Sequence, residues 1–174
     1  MEPFKDINYL KSGNARQQLA YATLTRYQIL SVLNAFDPIL VGTIPINIDI
    51  ETSDLDIICY FLNPDQFAEQ VLNAFGHYPH FSIKTTSKQG HPTVVAKFQA
   101  DDFEVEVFGQ PIPTQLQNAY RHMIVEHKLL QEKGEVFRKN IIDLKKQGYK
   151  TEPAFGIALG LKGNAYENLL TFEG

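Results

Sequence analysis

A chain of 174 residues, 44% hydrophobic and 21% charged, has the composition of one globular domain with a full core and little room for a second. Its net charge of −4 excludes the basic stripe by which a protein holds duplex nucleic acid through phosphate contacts alone, and no apolar run nears the roughly 20 residues that span a bilayer. With no signal-peptide pattern in Met1-Glu2-Pro3-Phe4-Lys5-Asp6 and a single cysteine, Cys59, unable to form an internal disulfide, a cytoplasmic setting without a membrane partner is expected.

The charge is unevenly spread. Residues 1–112 carry 7 Lys/Arg against 13 Asp/Glu, whereas residues 113–174 carry 9 against 7. A small anionic substrate bridged by metal suits this balance better than a nucleic acid, which the charge alone does not exclude.

In chain order, Ala15 to Phe36 reads as one amphipathic helix after Ser12-Gly13-Asn14, with Leu19, Ala22, Leu24, Tyr27, Ile29, Leu30 and Leu33 near the helical period and Asp37-Pro38 as its stop. Ile39 to Val41 is a short strand entering a turn at Gly42. Ile44 to Ser53 is an irregular connection containing Pro45, and Asp54 to Leu62 is a strand. Asn63-Pro64-Asp65 supplies a cap, a first-turn proline and an early acid for a helix ending near Phe75-Gly76. Three strands follow, Phe81 to Thr86, Thr93 to Gln99 and Phe103 to Phe108, with turns at Gln89-Gly90-His91-Pro92 and Asp101-Asp102; short connections imply antiparallel neighbours. From Thr114 the pattern is helical, with breaks near Gly134, Gly148 and Gly163 and a late helix starting at Glu152-Pro153. The order indicates an α+β fold, a single domain over 1–174: an α/β core over 1–112 and a helical part over 113–174.

Gly42-Thr43, ten intervening residues, and Asp54-Leu55-Asp56-Ile57-Ile58 form the most informative stretch. Acids at i and i+2 of a strand project from the same face, with Cα atoms about 6.5 to 7 Å apart, close enough to lean onto shared divalent ions. Like charges that close repel, and a bound cation keeps both ionised. Cys59 lies on the opposite face, which suits buried packing. The alternative reading of the two acids is a solvated strand end. Asp49 and Glu51 form another same-face pair, in the connection, suited to solvent or to orienting the loop.

Asp102, Glu104 and Glu106 alternate with Phe103, Val105 and Val107. A solvated sheet face explains that pattern by itself. If this strand lies beside the Asp54 strand, Glu106, flanked by valines and followed by Phe108-Gly109, is the best third metal ligand and Glu104 the second choice. Three carboxylates suffice for Mg²⁺ or Mn²⁺, since Mg²⁺ commonly keeps waters and substrate phosphates in its shell.

These elements resemble the signature of the nucleotidyltransferase superfamily typified by DNA polymerase beta. The wider chain resembles a bacterial domain-of-unknown-function family assigned to that fold, through Tyr9 to Asn14, Val41 to Ile46, Ser53 to Cys59, Phe108 to Pro111, Gln117 to Met123 and Lys150 to Phe155. The resemblance implies a mixed β-sheet core flanked by helices. It implies that Gly42 and Thr43 contact a nucleoside triphosphate and that Asp54, Asp56 and Glu106 or Glu104 hold Mg²⁺. The reaction implied is transfer of a nucleoside monophosphate to an unknown small-molecule or macromolecular acceptor, with pyrophosphate leaving. Two other uses of the same acids are a non-catalytic nucleotide-binding protein and a metal-dependent phosphohydrolase. Pro45 departs from the superfamily pattern, where a helix usually begins, and Glu replaces the commoner third Asp.

Asn118, His122 and Glu126 recur every four residues and form one stripe of a helix whose apolar face is expected at Leu116, Tyr120, Met123, Ile124 and Leu130. A solvent-facing or helix-pairing role is expected for the stripe, with bordering the cleft as the alternative. Arg121 is expected to be a surface charge. His77, His80 and His91 read as loop residues without the cysteine partners of a structural zinc site.

Overall fold

The computed structural model describes residues 4–172. A turn of 3-10 helix at Asn8–Ser12 leads into α1 (Ala15–Arg26). Asn14 caps this helix reciprocally: its side chain accepts from the Gln17 amide at 2.8 Å, and the Gln17 side chain accepts from the Asn14 amide at 2.9 Å. The single helix expected up to Phe36 is in fact broken. Gln28, at φ 50°, turns the chain before α2 (Ile29–Val32), and a 3-10 turn at Asn34–Phe36 follows. The break leaves no trace in the hydrophobic pattern because Leu24, Ile29 and Leu33 are all buried on both sides of it. Leu19, which the same periodicity put on the apolar face, is 55% exposed.

Five strands form one sheet in the order β1-β2-β5-β4-β3: β1 (Ile39–Val41), β2 (Leu55–Tyr60), β3 (Ser82–Lys88), β4 (His91–Ala100) and β5 (Phe103–Gln110). β2 and β5 run parallel, and the other pairs are antiparallel. β4 starts earlier than the sequence pattern indicates, since His91 and Pro92 already pair with Lys88 and Ser87, leaving Gln89-Gly90 as the turn. The helix α3 (Pro64–Phe75) has the expected bounds, with the Asn63 side chain accepting from the amides of Asp65 and Gln66.

The alternation along β2 separates two cores. Leu55, Ile57, Cys59 and Phe61 pack with α1, α2 and α3 through Leu24, Ile29, Phe67, Val71 and Phe75. Ile58, with Ile39 and Val41 of β1, packs instead against the C-terminal helices α4 (Asn118–Lys146), α5 (Thr151–Leu159) and α6 (Ala165–Leu170), through Met123, Leu130, Phe155 and Leu169. The result is an α+β arrangement, a mixed sheet with helices on both faces. Asp56 shares the face of Ile58, so it looks toward the C-terminal helices.

α4 is two helical pieces joined at Gly134, where φ is 76° and ψ is −167°. The helical face expected for it needs one correction: Tyr120, Met123 and Leu130 are buried, but Leu116 lies in a preceding 3-10 turn and is 64% exposed. Among the described residues no helix is long and apolar enough to cross a membrane.

Candidate functional site

The end of β1 sets Gly42 against the acids. Val41 is the register partner of Asp56, and the chain then turns through Gly42 at φ 82°. The backbone conformation favours glycine here, and a Cβ added to Gly42 would lie 2.7 Å from Oδ2 of Asp56, so that carboxylate would have to move. On the other side of Asp56, the parallel register places Glu106 directly opposite it. Asp56 thus stands between a glycine turn and a second carboxylate.

The 43–53 connection is irregular but well held. Thr43 donates its hydroxyl to Ser53 Oγ at 3.1 Å, and that oxygen accepts from the Ile50 amide at 2.9 Å. Side chains from both helical layers satisfy the loop's carbonyls: Gln17 donates to Ile44 O at 2.7 Å, Arg138 to Ile46 O at 2.6 Å, Lys145 to Ile48 O at 2.7 Å and Arg16 to Ser53 O at 2.5 Å. Asp49 accepts from the Asn14 side chain at 3.0 Å, while Glu51 is exposed. Backbone polar groups in a non-repeating segment need such partners, and their provision from α1 and α4 fixes the loop beside Asp56.

Charge crowds this corner. Burial, then the charges of Asp54 and Glu106, push the Asp56 carboxyl up to about 7. Lys97 opposes them: it is the register partner of Glu106 across β4 and β5, and its ammonium lies 2.6 Å from Glu104 Oε1 and 3.2 Å from Glu106 Oε2. The bond to Glu104, followed by the one to Glu106, raises the pKa of Lys97 and keeps it cationic.

A cleft of about 830 Å³ opens between this corner and the C-terminal helices, lined by Gly42, Thr43, Asp56 and Glu106 on one side and by His122, Glu126, Glu152 and Tyr166 on the other. Asp54 and Glu104 do not line it. Asp54 stands one residue before β2 and acts on Asp56 through its charge; Glu104 is exposed and tied to Lys97. Among the described residues no three His, Cys, Asp or Glu side chains are grouped so as to hold a metal ion. The donors near Gly42 are nonetheless all carboxylate oxygens, the donor type that Mg²⁺ and Mn²⁺ take, and the mutual repulsion at Asp56 is what a divalent cation relieves. Lys97 meets part of that demand in the chain alone.

The stripe on α4 pairs with helices and borders the cleft rather than facing solvent. His122 is 8% exposed and Glu126 3% exposed. Nε2 of His122 lies 2.8 Å from the Tyr166 carbonyl, which can only accept, so this nitrogen carries a proton; Nδ1 lies 3.5 Å from Glu152 Oε1. Burial disfavours the imidazolium, but Glu152, the Tyr166 carbonyl and Glu126 outweigh it and raise the His122 pKa. Burial, then the Glu152 charge, pushes Glu126 up to about 8. Burial likewise brings Lys145 down to about 8, against the pull of Glu126, Asp49, Asp54 and Asp56.

Arg121 is exposed, as expected, and bonds Asn118 at 3.4 Å. Lys97, Lys145, Glu152 and Gln117 join the site without being expected there from the sequence; the Gln117 side-chain amide donates to Cys59 O at 2.9 Å at the cleft wall. Lys97 had a signal, because the two-residue turn at Asp101-Asp102 counts back to pair 97 with 106. The others are brought in by helix packing and carry none.

The fold is that of nucleotidyltransferase structures. Cid1, in a structure that addresses its RNA terminal uridylyl transferase activity, is 11% identical with a TM-score of 0.60, the match covering 84% of this chain and 48% of that one. The GLD-2/RNP-8 complex is 15% identical with a TM-score of 0.53, over 82% and 56%. Cid1 poly(U) polymerase with MgGTP bound is 12% identical with a TM-score of 0.57, over 82% and 48%. The chain therefore spans about half the length of these structures, and the likeness is one of fold. Residues 22–172 match the family described as Domain of unknown function (DUF4269), and the chain belongs to that family. No curated protein shows significant sequence similarity to it.

Proposed function

We propose that this protein is a nucleotidyltransferase that moves a nucleoside monophosphate from a nucleoside triphosphate to an acceptor. The observation that carries this reading is the pairing of Asp56 with Glu106 across parallel strands, with Gly42 packed against Asp56 and open to the same cleft. Structural neighbours that carry nucleotides with Mg support it.

Asp56 and Glu106, which line the cleft, would hold Mg²⁺ or Mn²⁺, with Asp54 as the third donor and Glu104 in reserve, both from outside that lining; the bound ion would offset phosphate charge and lower the pKa of the attacking hydroxyl. Gly42 leaves its backbone accessible to the phosphates, and Thr43 is oriented by Ser53 beside it. The acceptor hydroxyl forms a bond to the α-phosphorus, the bond from that phosphorus to the β-bridging oxygen breaks, pyrophosphate leaves with the electron pair, and the hydroxyl proton passes to solvent. Loop 43–53, braced by Gln17, Arg138 and Lys145, keeps Thr43 in place without reorganisation during that step. The chain acts as one domain, with 1–112 carrying the acids and 113–174 closing the cleft.

The test is calorimetric titration with Mg²⁺ and each nucleoside triphosphate, followed by a search for released pyrophosphate over a panel of acceptors. Binding plus acceptor-dependent pyrophosphate release supports transfer. Release of phosphate with water as the only acceptor would instead mark a phosphohydrolase. One observation favours a second reading, a nucleotide-binding protein without catalysis: Lys97 already engages Glu106 and Glu104. Nucleotide binding with no pyrophosphate from any acceptor is what that reading requires.

A further inference from the structure

The cleft has an acidic wall that the phosphate chemistry leaves unused. Glu126 is almost wholly buried yet lines the cleft, and its Oε1 has no hydrogen-bond partner among the described residues. Its cationic neighbours act on it through their charge but make no hydrogen bond to it. His122 meets the Tyr166 carbonyl through one ring nitrogen and Glu152 through the other, and the Lys145 ammonium donates to the Ile48 carbonyl at 2.7 Å. An unpartnered buried carboxylate oxygen is costly, and one that lines a cleft can be completed by a water, an ion or a ligand group.

The chemistry of the wall selects the ligand. Among the described residues, the cleft's charged lining consists of Asp56, Glu106, Glu126, Glu152 and Glu167 against a single cation, Lys88, with His122 between. A phosphodiester chain would meet repulsion on the helical side, whereas an N–H cation forms short charge-assisted bonds to carboxylates. We propose that Glu126 and Glu152 form a subsite for a protonated amine or a guanidinium group carried by the acceptor. The word acceptor rests on the nucleotidyl-transfer reading; the recognition of a cationic group does not.

The experiment titrates the full chain, without nucleotide or metal and at fixed ionic strength, with agmatine, putrescine and butane-1,4-diol. The amines are expected to bind at least tenfold more tightly than the diol, which has a similar carbon chain and no charge. Glu126→Gln is expected to weaken agmatine binding at least tenfold and Glu152→Gln several-fold. Glu132→Gln, at an exposed glutamate of the same helix, is expected to leave it unchanged. Should Glu126→Gln fail to unfold cooperatively, Glu152→Gln and the amine–diol comparison decide. Equal binding of amines and diol, or equal agmatine binding by the Glu126→Gln and Glu132→Gln proteins, overturns the subsite. Pyrophosphate release without amine discrimination overturns the subsite alone; amine discrimination without nucleotidyl transfer supports the subsite and counts only against the reaction.

Discussion

The two walls of the cleft hold acids by different means. On the sheet side, Asp56 and Glu106 are brought together by strand register and face a lysine supplied by the next strand, so their repulsion is partly answered within the sheet. On the helical side, Glu126 is buried among helices with one oxygen unanswered among the described residues, and His122 and Lys145 bond to backbone carbonyls and reach it only through their charge. Register positions charges that a hydrated cation can join, whereas helix packing encloses a single acid whose burial favours its protonated form. A small desolvated ligand group completes the second kind of arrangement.

Removing Asp56 should break the sheet wall most completely. Asp56→Asn is expected to lower nucleotidyl transfer by on the order of 10³-fold, as loss of a transition-state electrostatic partner does, measured by pyrophosphate release. Its metal-free melting temperature is expected to stay level or rise, because a crowded charge is gone. A rate within tenfold of the wild type would argue that the sheet wall is not the reactive one.

Gly42→Ala tests the same wall through its backbone. The added methyl meets Asp56 Oδ2 at 2.7 Å and sits at φ 82°, so a loss of about 1 to 3 kcal/mol in stability is expected by denaturant unfolding, with activity falling alongside. An unchanged midpoint would show that the turn yields.

The helical wall is read by pH. Glu126 is pushed up to about 8, above the value near 4.3 it has when unfolded, so the native state keeps a proton that the unfolded chain has released, and the resulting cost to stability grows as pH rises from about 4 to 8. Glu126→Gln removes that cost. The melting temperature of this variant relative to wild type is expected to climb by several degrees across that window and level off above it, with about 2 to 4 °C for each kcal/mol in a chain of this size. A flat difference would mean that Glu126 is ionised and paired in the folded chain.

The smallest effect is expected at Lys97. Both of its ion pairs are part-exposed, so Lys97→Gln should cost about 1 kcal/mol or less. Mn²⁺ affinity, followed by paramagnetic relaxation of water, should rise several-fold as a competing cation is removed. A fall in affinity would show that Lys97 orients Glu106 for metal rather than competing with it.

The sheet wall is largely legible in the sequence, and the helical wall is not. Period-2 alternation puts Asp54 and Asp56 on one face and Glu104 and Glu106 on another strand's face, and only the pairing of β2 with β5 had to come from the fold. The bounds of α3 follow from Asn63-Pro64 and Phe75-Gly76 because capping is local chemistry. The break after α1 is hidden because Ile29 and Leu33 keep helical spacing through a left-handed Gln28. Glu126 and Glu152 lie in separate helices, and polar spacing of four residues looks alike whether it faces water or a cleft. Their burial is a tertiary property with no local signature.

The most direct measurement is a crystal structure of the protein with Mn²⁺ and a non-hydrolysable nucleoside triphosphate. Anomalous density for Mn²⁺ between Asp56 and Glu106, with phosphate oxygens against Gly42 and Thr43, is the expected result. Mn²⁺ bound away from both carboxylates, or phosphates lying clear of the glycine turn, would contradict it.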